Sequence, residues 1–100
     1  ELSNAAAIAD RTGLYACPHT GVALAALLRL VEKKEISPNE KTIIVSTAHG
    51  LKFSEFKVGY HEGTLRDVEC RYANRPLELP ADAGKVREAL DRELAARAKS

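Results

Sequence analysis

The sequence predicts an α/β fold of which this chain is one helix–strand–helix piece, mostly helical within the chain itself. The predicted strand begins at Thr42, where Ile43, Ile44 and Val45 form an uninterrupted apolar run. A short β-branched run of this kind is typical of a strand buried on both faces, as in a parallel sheet covered by helices. A stable sheet needs about three strands or more, and the sequence contains only one convincing strand. We therefore expect residues 1–100 to be part of a larger doubly wound domain and not an independent domain.

Two helical patterns precede this strand. The alanine-rich residues 1–12 predict a first helix that stops at Gly13. Residues 20–34 predict a second helix, and because its first turns are apolar on nearly every side we expect it to be buried. Thr20 is the candidate N-cap of that helix, since its hydroxyl can accept from a free first-turn N–H.

Two further helical patterns follow the strand. Aromatic residues recur from Phe53 to Tyr60 and predict a third helix whose aromatic stripe faces the core. Residues 62–81 show no sustained period, so we interpret them as irregular chain. Asp82 is the candidate N-cap of a last helix, in which an apolar residue repeats every four positions from Val86.

Composition excludes several classes of function. The 15 basic and 14 acidic residues nearly cancel and form no basic block, so neither nucleic acid nor a membrane surface is an expected partner. The longest apolar run, residues 22–28, is too short to span a bilayer. No secretory or transit signal is visible, although the sequence opens inside a helical pattern without a methionine. We expect Cys17 and Cys70 to be reduced thiols, with a single disulfide between them as the alternative.

Polar residues follow the predicted strand directly, at Ser46, Thr47, His49 and Gly50. In doubly wound sheets ligands bind outside the carboxyl ends of the strands, so these residues form the candidate binding site. A hydroxyl at this position can donate a hydrogen bond to a neutral ring nitrogen. The structural alternatives are a Ser/Thr turn and a satisfied buried histidine. We expect Gly50 to supply a backbone conformation closed to other residues.

A second candidate site lies before the second helix, where Pro18-His19-Thr20-Gly21 precedes the helix N-terminus. Free N–H groups converge at such a terminus and favour anions. We regard His19 and Thr20 as possible pocket neighbours, with helix capping as the alternative. The three histidines and two cysteines lack the spacing of a zinc site, so no metal is expected. A G-x-S-x-G hydrolase elbow is also missing.

Two strings, ACPHTGVALAAL at residues 16–27 and STAHGLKF at residues 46–53, together resemble the C-terminal portion of threonine synthase in the form found in plants and some microbes. The resemblance runs through about residues 74–76 and is looser in the last helix. It implies a pyridoxal 5'-phosphate (PLP) enzyme of the tryptophan-synthase-like fold type. The implied reaction converts O-phosphohomoserine and water to threonine and phosphate, with the cofactor as electron sink.

The resemblance also implies roles for individual residues. In that family a threonine meets the pyridine nitrogen of the cofactor, and the matching position here is Thr47. Ser46 and His49 are weaker candidates for the wall of the ring pocket. The family's Schiff-base lysine and its glycine- and asparagine-rich phosphate loop belong to upstream segments, and Lys52 does not match that lysine. We therefore expect no catalytic residue in this chain and no activity from the chain alone.

The family implies partners and a compartment as well. These are O-phosphohomoserine, the remainder of the same polypeptide and a second copy in a homodimer. The expected compartment is the cytoplasm, or the plastid if the protein comes from a plant. Two alternatives stay open: a sister PLP enzyme such as cysteate synthase, and a non-catalytic structural or interaction fragment.

Overall fold

The computed structural model describes residues 1–99, and more than half of them are helical. This agrees with the prediction of a mostly helical chain. In order along the chain, these residues form α1 (Leu2–Asp10), α2 (Pro18–Glu32), a 3₁₀ helix (Gly50–Phe53), α3 (Ser54–Glu62) and α4 (Ala83–Ala98).

Helices α1 and α2 pack closely because small residues face each other between them. Ala5, Ala6 and Ala7 of α1 are buried. A Cβ atom added to Gly21 of α2 would lie 2.8 Å from the Cβ atom of Ala6, so only glycine allows this approach. The first helix forms as predicted but ends earlier, at Asp10 with Arg11 as its C-cap, and Gly13 lies in the turn that follows, with a φ of +89°.

The start of α2 differs from the prediction. The helix begins at Pro18, and Cys17 is the N-cap, with its sulfur accepting a hydrogen bond from the backbone N–H of Thr20 at 3.4 Å. The prediction that Thr20 caps the helix was wrong, because it lies inside the first turn. Proline suits the first helical position, where its fixed φ is helical and its missing N–H costs no hydrogen bond.

The predicted strand does not form within residues 1–99. Residues 41–47 have no regular structure, and Ile43 and Val45 are 90% and 74% exposed. A strand is stabilised by hydrogen bonds to neighbouring strands. The pairing that the structure shows in this part of the chain is a single antiparallel bridge between Ala16 and His49. The helix–strand–helix order and the α/β class are therefore not observed in the described chain.

The predicted burial of α2 is not observed either. Val22 and Leu28 are about half exposed, and the residues of α2 that are buried are Thr20, Gly21 and Ala25. Helix α1 is the main packing partner of α2, and Leu24, Leu27 and Leu30 are partly buried, so the apolar surface of α2 is covered only in part.

Helix α3 follows the 3₁₀ helix directly and ends at Gly63, whose left-handed φ of +74° caps it. The expected core-facing stripe is confirmed at Tyr60, which is buried, whereas Phe53 and Phe56 are half-buried. The Tyr60 hydroxyl donates to Oδ1 of Asn4 at 2.5 Å and accepts from a backbone N–H of the irregular segment, residues 63–82, at 3.1 Å. Tyr60 thereby ties α1, α3 and that segment together.

The last helix confirms its predicted cap. Oδ1 of Asp82 accepts from the backbone N–H of Lys85 at 2.9 Å. The apolar repeat of α4 is about half exposed at Val86, Leu90 and Leu94. Like α2, this helix has an apolar face that residues 1–99 cover only in part.

Candidate functional site

The two motifs of the sequence lie side by side. The backbone N–H of Gly50 donates to the carbonyl oxygen of Tyr15 at 2.8 Å, and Ala16 forms a bridge with His49. A Cβ atom added to Gly50 would lie 2.7 Å from Cδ1 of Tyr15. The expectation of a special backbone conformation at Gly50 was wrong, because its φ is not positive. The glycine is needed for the close approach of the Tyr15 ring.

A chain of hydrogen bonds joins the start of α2 to the loop of residues 46–50. The Thr20 hydroxyl lies 3.2 Å from the Cys17 sulfur and 3.3 Å from the Ser46 hydroxyl oxygen. Ser46 donates to the carbonyl oxygen of Ala48 at 3.3 Å. Each hydroxyl has one proton, so Ser46 accepts from Thr20 and Thr20 accepts from the neutral Cys17 thiol. With the thiol neutral, the chain therefore runs from the thiol to the Ala48 carbonyl.

Cys17 is fully buried, and both cysteines are free thiols, as expected. Hydrogen bonds from the hydroxyl and the backbone N–H of Thr20 lower the pKa of Cys17 to about 6. An ionised sulfur only accepts hydrogen bonds. On ionisation the Thr20 proton is drawn toward Cys17 and leaves Ser46, so the direction of the hydrogen-bond chain depends on the charge of the thiol.

Thr47 follows Ser46 in the exposed loop. Its hydroxyl makes no hydrogen bond to another residue within 1–99, in contrast to the hydroxyls of Thr20 and Ser46. The Thr47 hydroxyl is therefore available to an external acceptor. Its contact with a cofactor ring remains a prediction.

The two histidines of the motifs have structural contacts. Nδ1 of His49 accepts from the backbone N–H of Leu51 at 3.2 Å and caps the 3₁₀ helix. His49 is exposed, so the expected buried histidine is not observed. Its ring centroid lies 5.7 Å from that of Tyr15. His19 is also exposed and packs edge to face on Phe53 at 5.4 Å.

A buried ion pair beside the site was not predicted from the sequence. Oδ2 of Asp10 accepts from Nζ of Lys57 at 2.5 Å, and Oδ1 accepts from the backbone N–H of Ala16 at 2.9 Å. Lys57 is 3% exposed, and its Nζ lies 4.7 Å from the centroid of the Tyr15 ring. Burial raises the pKa of Tyr15, and the charge of Asp10 raises it further.

The sequence did contain a signal for this pair. Lys57 lies four residues after Phe53 and three before Tyr60, which places it on the same helical face as the aromatic stripe. A lysine on a core-facing stripe requires an acidic partner. The spacing does not indicate which acidic residue provides it.

Two further properties of the described residues bear on the class of site. Within residues 1–99, no three histidine, cysteine or acidic side chains are grouped so that they could bind a metal ion. No helix in this part of the chain has both the length and the hydrophobicity needed to cross a lipid bilayer.

The donors at residues 46–49 fit a neutral aromatic nitrogen. They are the hydroxyl of Thr47 and the imidazole of His49, without a carboxylate, since the Ser46 hydroxyl already donates to the Ala48 carbonyl. A carboxylate would hold a pyridine nitrogen protonated, whereas a hydroxyl donates to it in the neutral form. The loop is therefore chemically compatible with the predicted contact of Thr47 with a neutral pyridine nitrogen.

The fold and site thus define a helical segment with a polar loop that is fixed against a helix N-terminus. No protein-family model matches the chain. The chain is 48% identical over 90 residues to "Threonine synthase 2, chloroplastic" of Arabidopsis thaliana. This similarity confirms the resemblance to the C-terminal portion of threonine synthase. The match covers 90% of this chain and 17% of the length of the relative.

Proposed function

We propose that this chain is a segment of a PLP-dependent lyase, threonine synthase, which converts O-phosphohomoserine and water to threonine and phosphate in the full-length protein. The observation that carries the proposal is the 48% identity over 90 residues to a threonine synthase. When bound, the cofactor supplies an electron sink for elimination of the phosphate and addition of water. No observation favours cysteate synthase or a non-catalytic fragment over this function.

The share of this segment in the reaction is to hold the ring of the cofactor. In this proposal Thr47 donates a hydrogen bond to the pyridine nitrogen, while Ser46 and His49 form part of the pocket wall. The unpartnered hydroxyl of Thr47 supports that role. His19 and Thr20 are neighbours of the pocket, and Thr20 acts through its hydrogen bond to Ser46.

The segment completes a larger α/β domain in this proposal. Residues 41–47 pair with strands from the remainder of the polypeptide, which buries the exposed side chains of Ile43 and Val45. An apolar groove of about 310 Å³ between α1, α2 and Ile44 supports this arrangement. Leu24 and Leu27 line this groove and would contribute to the shared core.

The remaining properties of the whole protein follow from the family. We propose that the Schiff-base lysine and the phosphate loop lie in other parts of the polypeptide, so this segment is inactive by itself. We also propose a homodimer, located in the plastid if the protein is from a plant and otherwise in the cytoplasm. The relative's own name places that relative in the chloroplast.

The test is made on the full-length protein that contains this chain. Borohydride reduction, digestion and mass mapping should find one pyridoxyl-lysine in a peptide outside residues 1–100, and phosphate should be released from O-phosphohomoserine. A pyridoxyl group on Lys52 would overturn the assignment of this segment to the ring side of the site. Complete absence of a pyridoxyl-lysine, with all peptides recovered, would refute the PLP enzyme.

A further inference from the structure

We propose that Asp10 and Lys57 are positioning residues for the loop of residues 46–50. They act through the short segment Tyr15–Ala16, to which that loop is hydrogen-bonded. The part of this proposal that concerns the cofactor rests on the proposed function. The part that concerns the loop rests on the contacts alone.

The first link runs through the backbone. One edge of the segment Tyr15–Ala16 is used by the loop, because the Tyr15 carbonyl accepts from the N–H of Gly50. The N–H of Ala16 is bound by Oδ1 of Asp10 at 2.9 Å. In a sheet that N–H would pair with a carbonyl of a further strand. The Asp10 carboxylate replaces that strand and fixes the segment from the side of α1.

The second link runs through the tyrosine ring. Nζ of Lys57 lies 4.7 Å from the centroid of the Tyr15 ring, a cation–π distance. The same ring lies against two residues of the loop: an added Cβ at Gly50 would lie 2.7 Å from Cδ1 of Tyr15, and the His49 ring centroid lies 5.7 Å from that of Tyr15. Lys57 therefore fixes the ring against which the loop backbone rests.

The charge balance explains why both residues are needed. Lys57 is 3% exposed and bonded to Oδ2 of Asp10 at 2.5 Å. Removing one member of a buried ion pair leaves the other charge unpaired, whereas the pair as a whole stabilises a fold no better than apolar packing does. The pair contributes little net stability, but it makes two contacts with one segment, the hydrogen bond to the Ala16 N–H and the cation–π contact with the Tyr15 ring. Such a pair is suited to setting the position of that segment.

Three variants of the full-length protein test the proposal, with Arg29→Met as the matched control. Lys57→Met removes the buried cation. Asp10→Asn removes the negative charge but keeps an oxygen that can accept from the Ala16 N–H. Lys57→Arg keeps a positive charge at position 57. Arg29 forms an exposed ion pair with Glu1, so its loss should have little effect. The readouts are deuterium uptake of the peptide covering residues 46–53 without cofactor, and the Kd and absorbance of added PLP.

We expect Lys57→Met to increase the exchange rate in residues 46–53 by about tenfold, because the Gly50 N–H is opened more often. PLP affinity should fall by about tenfold as the loop loses its geometry. Lys57→Arg should stay close to wild type in both readouts, and Asp10→Asn should resemble Lys57→Met. If exchange and affinity in Lys57→Met match those of Arg29→Met while the melting temperature falls, the pair is merely structural and the proposal is overturned.

The two proposals fail in different ways. A wild-type full-length protein that does not bind PLP would refute the proposed function, yet the exchange measurement would still decide whether the pair positions the loop. If Lys57→Met does not fold, the comparison of Asp10→Asn with Lys57→Arg decides. If exchange is faster in Asp10→Asn but not in Lys57→Arg, the proposal is supported. If Asp10→Asn exchanges at the wild-type rate, the proposal is overturned.

Discussion

The hydroxyl of Thr20 lies 3.3 Å from the hydroxyl oxygen of Ser46, although 26 residues separate them in the sequence. Thr20 belongs to the first turn of α2, and Ser46 begins the loop that carries the predicted cofactor contact. The contact is part-buried, and the Cys17 thiol continues it on the other side. This pair of hydroxyls therefore joins the two motifs that carry the resemblance to threonine synthase.

Replacing Thr20 by valine should break this link at nearly constant volume. The variant leaves Cys17 and Ser46 without their shared partner, and we expect a loss of about 1–3 kcal/mol in the free energy of unfolding. Denaturant unfolding of the full-length protein measures it. Thr20→Ser keeps the hydroxyl and should lie close to wild type. Equal stability of the valine variant and wild type would show that the hydrogen bonds contribute nothing.

The stability of the protein should depend on the charge of Cys17. Folding lowers the pKa of this thiol from 9.0 to about 6, so between these values the unfolded chain binds more protons than the folded one. The contribution is fully present above pH 9, and it is lost as the pH falls through about 6. The melting temperature of wild type should therefore rise from pH 6 to pH 9 relative to that of Cys17→Ser. Serine retains the N-cap but does not titrate.

A parallel pH dependence in the two proteins would contradict this prediction. The difference between them is the informative quantity, because all other titrating groups are common to both. The measurement requires no bound cofactor.

Gly50→Ala should displace the Tyr15 ring. The added methyl group would lie 2.7 Å from Cδ1 and 3.0 Å from the carbonyl oxygen of Tyr15. Overpacking of this kind costs about 1–3 kcal/mol, measured as the free energy of unfolding. Gly84→Ala is the control, since its Cβ meets only the Asp82 side chain at 3.2 Å, and it should remain within about 1 kcal/mol of wild type. Equal effects of the two substitutions would argue against a special requirement at Gly50.

Thr47→Val tests the proposed contact with the ring nitrogen. Loss of one neutral hydrogen bond should weaken PLP binding by roughly three- to tenfold. The absorbance of the bound cofactor should change with it. Thr47→Ser retains the donor, and Thr42→Val makes the same substitution at another exposed position of the same segment. Unchanged affinity and absorbance in Thr47→Val would remove Thr47 from the site.

The sequence by itself determined the features that depend on neighbouring residues. The Asp82 cap and the left-handed turn at Gly13 after the first helix were predicted because each involves only a few adjacent positions. The family resemblance was likewise carried by two short strings. The start of α2 was missed because the Thr20 hydroxyl suits a cap, whereas Pro18 begins the helix and makes Cys17 the N-cap.

Only the tertiary structure decided which distant residues meet. The contact of Thr20 with Ser46 and the pairing of Lys57 with Asp10 depend on the packing of α1, α2 and α3, for which no local pattern exists. The strand predicted at Ile43 does not form in the described chain, because it too depends on distant residues. Its apolar run indicates burial, but a strand requires partner strands, and residues 1–99 supply none that pair with it. Local pattern fixes what a segment is able to form, and long-range contacts decide whether it does.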